Sequence, residues 1–344
     1  MSANAPDSPS VCIIVPVLDG GENFALCLQS LAALSPRPAE ILIVDDGSSD
    51  DSRGQAQGAG FKVLRTPHLH GGPAAARNLA AARTQADLLF FVDADVRVPA
   101  DAVARVVESF RAEPALAALY GSYDDRPSAP DFLSQYKNLF HHFIHQDATG
   151  AATSFWSGCG AIRREVFTRL GGFSDAYRRP SIEDIELGYR LKKEGYQTRI
   201  IKRLQVTHLK RWTLAALVNS DVRYRAAPWA QLILRDHEFP ADLNLKLSHR
   251  LSVMAAYALL DAAVFSAAPL ALGCIIGLYL LNWRLYRFFA ARRGVRFALA
   301  AVPLHWFYYL YSGLGFMLGL AWWLLPLTPS PNRKRRGLGE GVRG

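Results

Sequence analysis

Leu88-Leu89-Phe90-Phe91-Val92-Asp93-Ala94-Asp95 decides how the chain is read. Five apolar residues in a row suit a strand covered on both faces of a sheet, and the change to Asp-Ala-Asp marks its end. Upstream, Val11–Val17 is another apolar run of strand type. Residues 22–34 have helical spacing at Phe24, Leu28 and Leu31 and stop before Ser35-Pro36. Residues 40–44 form a strand that runs into the turn-rich loop Asp45-Asp46-Gly47-Ser48-Ser49-Asp50. Residues 61–64 are a further strand, and the Ala-rich stretch 74–83 is a helix with Pro73 at its first turn. Strands alternating with helices predict an α/β fold, a mostly parallel, doubly wound sheet flanked by helices. Such sheets bind ligands beyond the carboxyl ends of their strands, so Asp45-Asp46 and Asp93-Ala94-Asp95 can meet in one crevice.

Half of the 344 residues are hydrophobic, and from Leu251 onward apolar residues dominate. The formal charge is +9, from 39 Lys and Arg against 30 Asp and Glu. No basic stripe interleaves with aromatic residues in the first part of the chain, so nucleic acid is not expected as a partner. The basic excess flanks the apolar runs instead, which points to a membrane surface. Cys12, Cys27, Cys159 and Cys274 are scattered without a Cys-x-x-Cys spacing, so neither a zinc site nor a disulfide framework is expected. Residues 1–10 are polar, with no apolar core of a signal peptide, and are expected to be a disordered N-terminus.

Two apolar runs, 251–281 and 297–327, close the chain. Each would make a helix of about 46 Å, against a hydrocarbon core of about 30 Å. Lys246 and Arg250 precede the first run, Arg284, Arg287, Arg292, Arg293 and Arg296 lie between the two, and Arg333, Lys334, Arg335 and Arg336 follow the second. With all three flanks basic, an even number of crossings per run is expected, or re-entrant loops that turn near Pro269. The connector 283–296 sets Trp283, Tyr286, Phe288 and Phe289 among arginines and reads as an interfacial helix. The division expected is therefore 1–10, a soluble domain 11–245, a membrane region 246–328 and a basic cytoplasmic tail 329–344.

Several polar groups could carry chemistry. The carboxylates of Asp93 and Asp95 offer hard oxygen ligands to Mg²⁺ or Mn²⁺, although the same three residues suit a capping turn before Pro99. Asp45 and Asp46 could accept hydrogen bonds from a base and a ribose, or form an Asx turn. Glu183 and Asp184 open a helix running to about Glu194, where acidic residues complement the helix dipole. The sharper reading makes Asp184 a general base. His208, after a short strand, is a third metal ligand beside Asp95 and Asp93, or a lone core histidine. Residues 132–146 are amphipathic, with Phe132, Leu133, Tyr136, Leu139, Phe140, Phe143 and Ile144 on one face, so the helix packs on the core or meets an acceptor or membrane surface. His141, His142 and His145 read as a solvated face of it.

The order of these pieces is more specific than any one of them. Asp45-Asp46-Gly47-Ser48, Gly72 to Asn78, Asp93-Ala94-Asp95, Gly158-Cys159-Gly160-Ala161-Ile162-Arg163-Arg164 and Glu183-Asp184 follow one another, after an opening Val15-Pro16-Val17. In this, residues 10–215 resemble the family 2 inverting glycosyltransferases of GT-A fold. The resemblance implies a nucleotide-diphospho-sugar donor, with Asp46 at the base, Asp45 beside it, and Arg77 near the diphosphate. It also implies Asp95 on a divalent metal, Mg²⁺ or Mn²⁺, with Asp93 oriented nearby. Glu22 joins the donor-binding candidates, and Glu183 and Asp184 are the catalytic ones, Asp184 as base in a direct displacement that inverts the anomeric carbon. Processive members carry Gln-x-x-Arg-Trp where this chain has Arg225-Ala226-Ala227-Pro228-Trp229, so transfer of one or a few sugars is expected. The polyprenyl-phosphate sugar synthases usually lack the Glu-Asp pair, so Glu183-Asp184 points to a hydroxyl acceptor, expected on a lipid or lipid-linked saccharide at the cytoplasmic face of the inner membrane. A polyprenyl-phosphate sugar synthase, or an inactive membrane-bound nucleotide-sugar-binding protein, is the alternative. A sugar nucleotidyltransferase would open on a Gly-rich triphosphate loop, and residues 16–22 are not one.

Overall fold

A computed structural model describes residues 8–67, 69–239 and 243–325. The chain divides into two compact units, Met1–Thr213 and Leu214–Gly344. Residues 1–7, residues 326–328 and the whole basic tail 329–344, Arg333 to Arg336 included, lie outside the described residues. Ser10 is ordered: its N–H and hydroxyl both donate to Asp87 Oδ2, at 2.8 and 2.7 Å.

The first unit runs β1 (Val11–Val17), α1 (Gly21–Ala32), β2 (Glu40–Asp45), α2 (Ser52–Gly58), β3 (Lys62–Arg65), α3 (Gly72–Ala81), β4 (Leu88–Val92), β5 (Val96–Arg97), α4 (Ala102–Ala112), β6 (Leu116–Tyr123), α5 (Phe132–Gln146), β7 (Cys159–Arg163), α6 (Arg164–Arg169), α7 (Glu183–Lys193) and β8 (Gln197–His208). The sheet order is β3-β2-β1-β4-β7-β6-β8-β5. The half built from β3, β2, β1 and β4 is parallel, as the alternation of strands and helices predicts. Beyond β4 the sheet is mixed: β7 is antiparallel to β4 and β6, β8 is parallel to β6, and β5 is antiparallel to β8. The fold is a GT-A-like mixed sheet flanked by helices.

All five residues of β4 are buried, so the uninterrupted apolar run fills both faces of the sheet. On one face Phe90 and Val92 join Ile13, Val15, Phe24 and Leu31 of α1, and Val103, Val106 and Phe110 of α4, in a single core cluster. On the other, the Phe91 ring meets Phe167 and Phe173 at 5.4 and 5.1 Å. Removing one such phenyl group costs about 3–5 kcal/mol. α5 begins at a side-chain cap, Asp131 accepting from the N–H of Ser134 at 3.0 Å. It buries Tyr136, Leu139, Phe140 and Ile144 together with Asn138, His142 and His145. The helix therefore packs on the core, and His142 and His145 are not solvated as expected. The strand register of β6 shifts between Tyr120 and Ser122, and carbonyls there turn to the helix: His142 Nδ1 bonds Tyr123 O at 2.7 Å and His145 Nδ1 bonds Gly121 O at 3.1 Å.

The second unit contains α8 (Leu214–Asn219), a π-helical stretch Ser220–Ala226, α9 (Ala227–Asp236), α10 (Leu247–Val264), α11 (Ala268–Arg293) and α12 (Val295–Leu324). Residues 214–245 cluster here because α12 lies directly on them. A Cβ at Gly315 would come within 2.6 Å of Ala226 Cβ, and one at Gly319 within 2.4 Å of the Ala227 carbonyl. Only glycines permit that approach. The first apolar run is broken at residues 265–267, with Pro269 in the first turn of α11, so it forms two packed helices, α10 and α11. The connector is not a separate interfacial helix, because α11 continues unbroken through Trp283 to Arg293 and stops only at Gly294, which has φ +85°. The second run is likewise no hairpin: α12 is one helix of 30 residues that carries Pro303 inside it. Among the described residues one helix, Ala268–Arg293, is long and apolar enough to cross a membrane, and only 17% of its apolar window is buried. An amide-centred polar contact joins all three long helices: Asn282 donates to Ser252 at 3.0 Å and accepts from the Tyr309 hydroxyl at 2.6 Å.

Candidate active site

The carboxyl ends of β1, β2 and β4 carry the acidic residues, as a parallel half-sheet requires. Asp45 closes β2 opposite Val17 and accepts the N–H of Ser48 at 2.8 Å, an Asx-type turn. Asp46 follows it, buried, and each of its carboxylate oxygens is occupied. Oδ1 accepts from the Thr66 hydroxyl at 2.8 Å and the Gly71 N–H at 3.0 Å, and Oδ2 from the Gly72 N–H at 2.8 Å. Asp46 thus holds the loop after β3 and the first turn of α3. Asp19, which the sequence does not single out, ties the β1 loop to the β2 loop. Its Oδ1 accepts from Ser49 N and Oγ at 2.7 and 3.0 Å and from Asp50 N at 3.2 Å. These bonds hold its carboxyl below the ordinary range. Glu22 is exposed in the first turn of α1 and makes none of the contacts that join the other carboxylates.

Arg77 connects the remaining parts. It is 3% exposed in the middle of α3. Nη2 donates to Asp93 Oδ1 at 2.7 Å and Nη1 to Glu183 Oε1 at 3.0 Å, while its guanidinium carbon lies 5.5 Å from the Phe173 ring centroid. Residues far apart in sequence are drawn together: the end of β4, the start of α7 and α3 between them. Desolvation lifts the Asp93 carboxyl above its ordinary range, with Asp95 and Asp184 adding to it and Arg77 opposing. Burial and the neighbouring Asp184 lift Glu183 likewise against Arg77, and the Ser181 N–H donates to its other oxygen at 2.9 Å.

Asp184, the next residue, is turned the other way. Its Oδ2 accepts both the N–H and the hydroxyl of Ser157, at 3.0 and 3.2 Å. Ser157 sits just before β7 in the turn Trp156-Ser157-Gly158. A Cβ on Gly158 would come within 2.6 Å of the Trp156 ring and 2.8 Å of Asp93 Oδ2, so glycine there keeps this turn against Asp93. Nothing in the sequence marks Ser157, because its partner is 27 residues away and no periodic pattern links them.

Asp95 and His208 meet through strand pairing. β5 pairs with β8 in the register Val96↔His208, and the Leu209 N–H donates to the Asp95 carbonyl at 2.9 Å. His208 Nε2 lies 3.4 Å from Asp95 Oδ2. Desolvation opposes ionisation of Asp95, but His208 and Lys210 outweigh it and hold its carboxyl below the ordinary range. Among the described residues no group of three or more His, Cys, Asp or Glu side chains is arranged as a metal site. Asp93, expected as a ligand with Asp95 and His208, is bound by Arg77 instead. A carboxylate and an imidazole at this spacing are chemically suited to a hard or borderline divalent cation.

All four cysteines are free and buried.

Residues 12–171 match the family model for glycosyl transferase family 2, and residues 138–212 match that for the N-terminal domain of galactosyltransferase. The O-antigen chain rhamnosyltransferase RfbN of Salmonella typhimurium is 25% identical over 64% of this chain and 74% of its own. The beta-monoglucosyldiacylglycerol synthase of Synechocystis is 27% identical over 62% of this chain and 43% of its own. In fold, the chain is similar to the mannosyltransferase PcManGT of Pyrobaculum calidifontis, solved with GDP-Man and Mn²⁺. The TM-score is 0.57 at 19% identity, covering 94% of this chain and 89% of the other.

Proposed function

We propose, from the premise that the chain carries a glycosyl transferase family 2 domain of GT-A fold, that it moves a sugar from a nucleotide-diphospho-sugar to a hydroxyl group with inversion at the anomeric carbon. The observation that carries this reading is the Arg77 bridge, which draws the helix bearing Asp184 to the end of the strand bearing Asp93 and Asp95. The acceptor oxygen bonds to the anomeric carbon as its proton passes to the Asp184 carboxylate. The bond from that carbon to the diphosphate oxygen breaks, and the nucleoside diphosphate leaves with the electron pair. Asp184 needs an orientation fixed before the acceptor arrives, and Ser157 supplies it. Both oxygens of Glu183 are already engaged, one by Arg77 and the other by the Ser181 N–H, which leaves the base role to Asp184. Asp95 and His208 would hold the divalent metal, which would supply charge neutralisation for the departing diphosphate. Asp45 and Asp46 at the end of β2 and Glu22 in the first turn of α1 would receive the nucleotide, with Asp46 shaping the pocket by holding Gly71 and Gly72.

The acceptor we favour is a lipid or a lipid-linked saccharide. The apolar helix Ala268–Arg293 supports a membrane-bound enzyme, as do relatives named for O-antigen chains and for glucosyldiacylglycerol. Basic residues on both sides of the α10–α11 pair, Lys246 and Arg250 before it and Arg292, Arg293 and Arg296 after it, support a cytoplasmic placement of both ends, and so of the catalytic unit, at the inner membrane of the cell envelope. Arg225-Ala226-Ala227-Pro228-Trp229, in place of the processive motif, supports transfer of one or few sugars.

The test is a thermal-shift screen of nucleoside diphosphates with Mn²⁺ or Mg²⁺, followed by NMR of the product formed from the stabilising donor. Metal-dependent stabilisation and an inverted anomeric proton are expected. A retained configuration overturns the mechanism. Binding without any transfer, unchanged in Asp184→Ala, favours an inactive nucleotide-sugar-binding protein. Transfer to a polyprenyl phosphate alone, independent of Asp184, favours a polyprenyl-phosphate sugar synthase.

A further inference from the structure

His208 can bind a cation only through a ring nitrogen that carries no proton, and the nitrogen facing Asp95 is Nε2. The other nitrogen must then carry the proton and needs an acceptor for it. That acceptor is present. Asn138, 1% exposed in α5, places Oδ1 at 2.6 Å from His208 Nδ1. An amide oxygen accepts and cannot donate, so this contact keeps a proton on Nδ1 and makes Nε2, which faces Asp95, the nitrogen that can give up its proton to a cation. We propose that Asn138 is a positioning residue for the metal, setting the tautomer and ring orientation of His208. The inference rests on the reading of Asp95 and His208 as metal ligands.

Two further observations support it. The His208 ring is stacked on Tyr123, with centroids 4.3 Å apart and planes 13° from parallel, which holds the plane in which its two nitrogens lie. The Asn138 amide nitrogen is buried without a hydrogen-bond partner. An unsatisfied buried donor costs stability that an apolar residue of similar size would avoid. What the asparagine provides at this position is therefore the single contact from its oxygen. Asn138 also accounts for a polar residue in the middle of a helix face otherwise made of Tyr136, Leu139 and Phe140. An acceptor behind a metal-binding imidazole is a general arrangement, and its loss typically weakens metal binding about 10–100-fold.

The test uses the full chain in detergent and Mn²⁺ alone, with binding read from the loss of the free-ion signal in electron paramagnetic resonance. Asn138→Leu is expected to weaken Mn²⁺ binding about 10–100-fold. Asn138→Asp, whose carboxylate accepts the same proton, is expected to bind at least as well as the wild type. Equal weakening in both variants overturns the proposal, because packing and not the acceptor is then what matters. Wild-type affinity in Asn138→Leu, with loss in His208→Ala, overturns the role of Asn138 and leaves the metal reading intact. Wild-type affinity in His208→Ala overturns the metal reading itself and the inference with it. Should Asn138→Leu fail to fold, ¹⁵N spectra of histidine-labelled wild type decide: a proton on Nδ1 of His208 is required, and its absence overturns the assignment.

Discussion

Ser157 donates twice to one oxygen of Asp184, through its backbone N–H at 3.0 Å and its hydroxyl at 3.2 Å. The backbone bond survives any substitution, so Ser157→Ala isolates the hydroxyl. A hydrogen bond to a charged group contributes about 1.5–3 kcal/mol, and about 1.4 kcal/mol is tenfold in rate. Steady-state kinetics of Ser157→Ala should show kcat reduced at least about tenfold at unchanged donor KM. Ser157→Thr, which keeps the hydroxyl, should restore most of it. A Ser157→Ala enzyme as fast as wild type removes Ser157 from the mechanism.

Asp184→Asn keeps the shape of the side chain and its acceptor oxygen for Ser157 but cannot take a proton. Loss of a general base lowers rate by about 10²–10⁴. Calorimetry should find donor binding in Asp184→Asn equal to wild type while transfer falls by that factor. A matching fall in donor affinity would instead assign Asp184 to donor binding.

Arg77 faces two carboxylates from a buried position, with its Nε left without a partner. Replacing it with Met leaves Asp93 and Glu183 close together and uncompensated. Removing one partner of a buried pair costs about 3–5 kcal/mol. Chemical denaturation of Arg77→Met should show a loss of that order. Arg77→Met combined with Glu183→Gln should recover part of it, since one of the uncompensated charges is then gone.

Gly72 has φ +89°, and a Cβ there would lie 2.6 Å from the carbonyl oxygen of Arg178. Both the backbone conformation and the close approach demand glycine. Gly72→Ala should cost about 1–3 kcal/mol and should raise amide hydrogen exchange in the segment leading to Glu183. Unchanged exchange there would mean that the loop adapts without loss.

The parallel half of the sheet was legible in the sequence because each of its strands is a short apolar run followed at once by turn residues. The antiparallel half was not. β6 reads Leu-Ala-Ala-Leu-Tyr-Gly-Ser-Tyr, with small residues that carry no period, and β7 lies inside Gly158 to Arg164, which stands out as a motif and not as a strand. Most acidic residues were visible by type and order, but their bonding was not. Asp46 uses its oxygens on Gly71 and Gly72, and Asp93 gives one to Arg77; each depends on where a distant segment crosses. His142 and His145 were misread for a related reason: an exposed helix face and one packed on strand carbonyls look alike until the irregularity at Gly121 is known. Asn138 and Ser157 leave no trace, since neither forms a motif and each acts through one residue remote in sequence.

The proposed cation site of Asp95 and His208 is closed by a ladder of two residue pairs, Val96↔His208 and Arg97↔Thr207. One half is made early in synthesis and the other more than a hundred residues later. No nascent chain shorter than about His208 can assemble the pair, whatever else of the sheet has formed. If Asp95 and His208 hold the metal as proposed, its binding marks completed folding, because the site cannot form until the last strand of the unit has arrived.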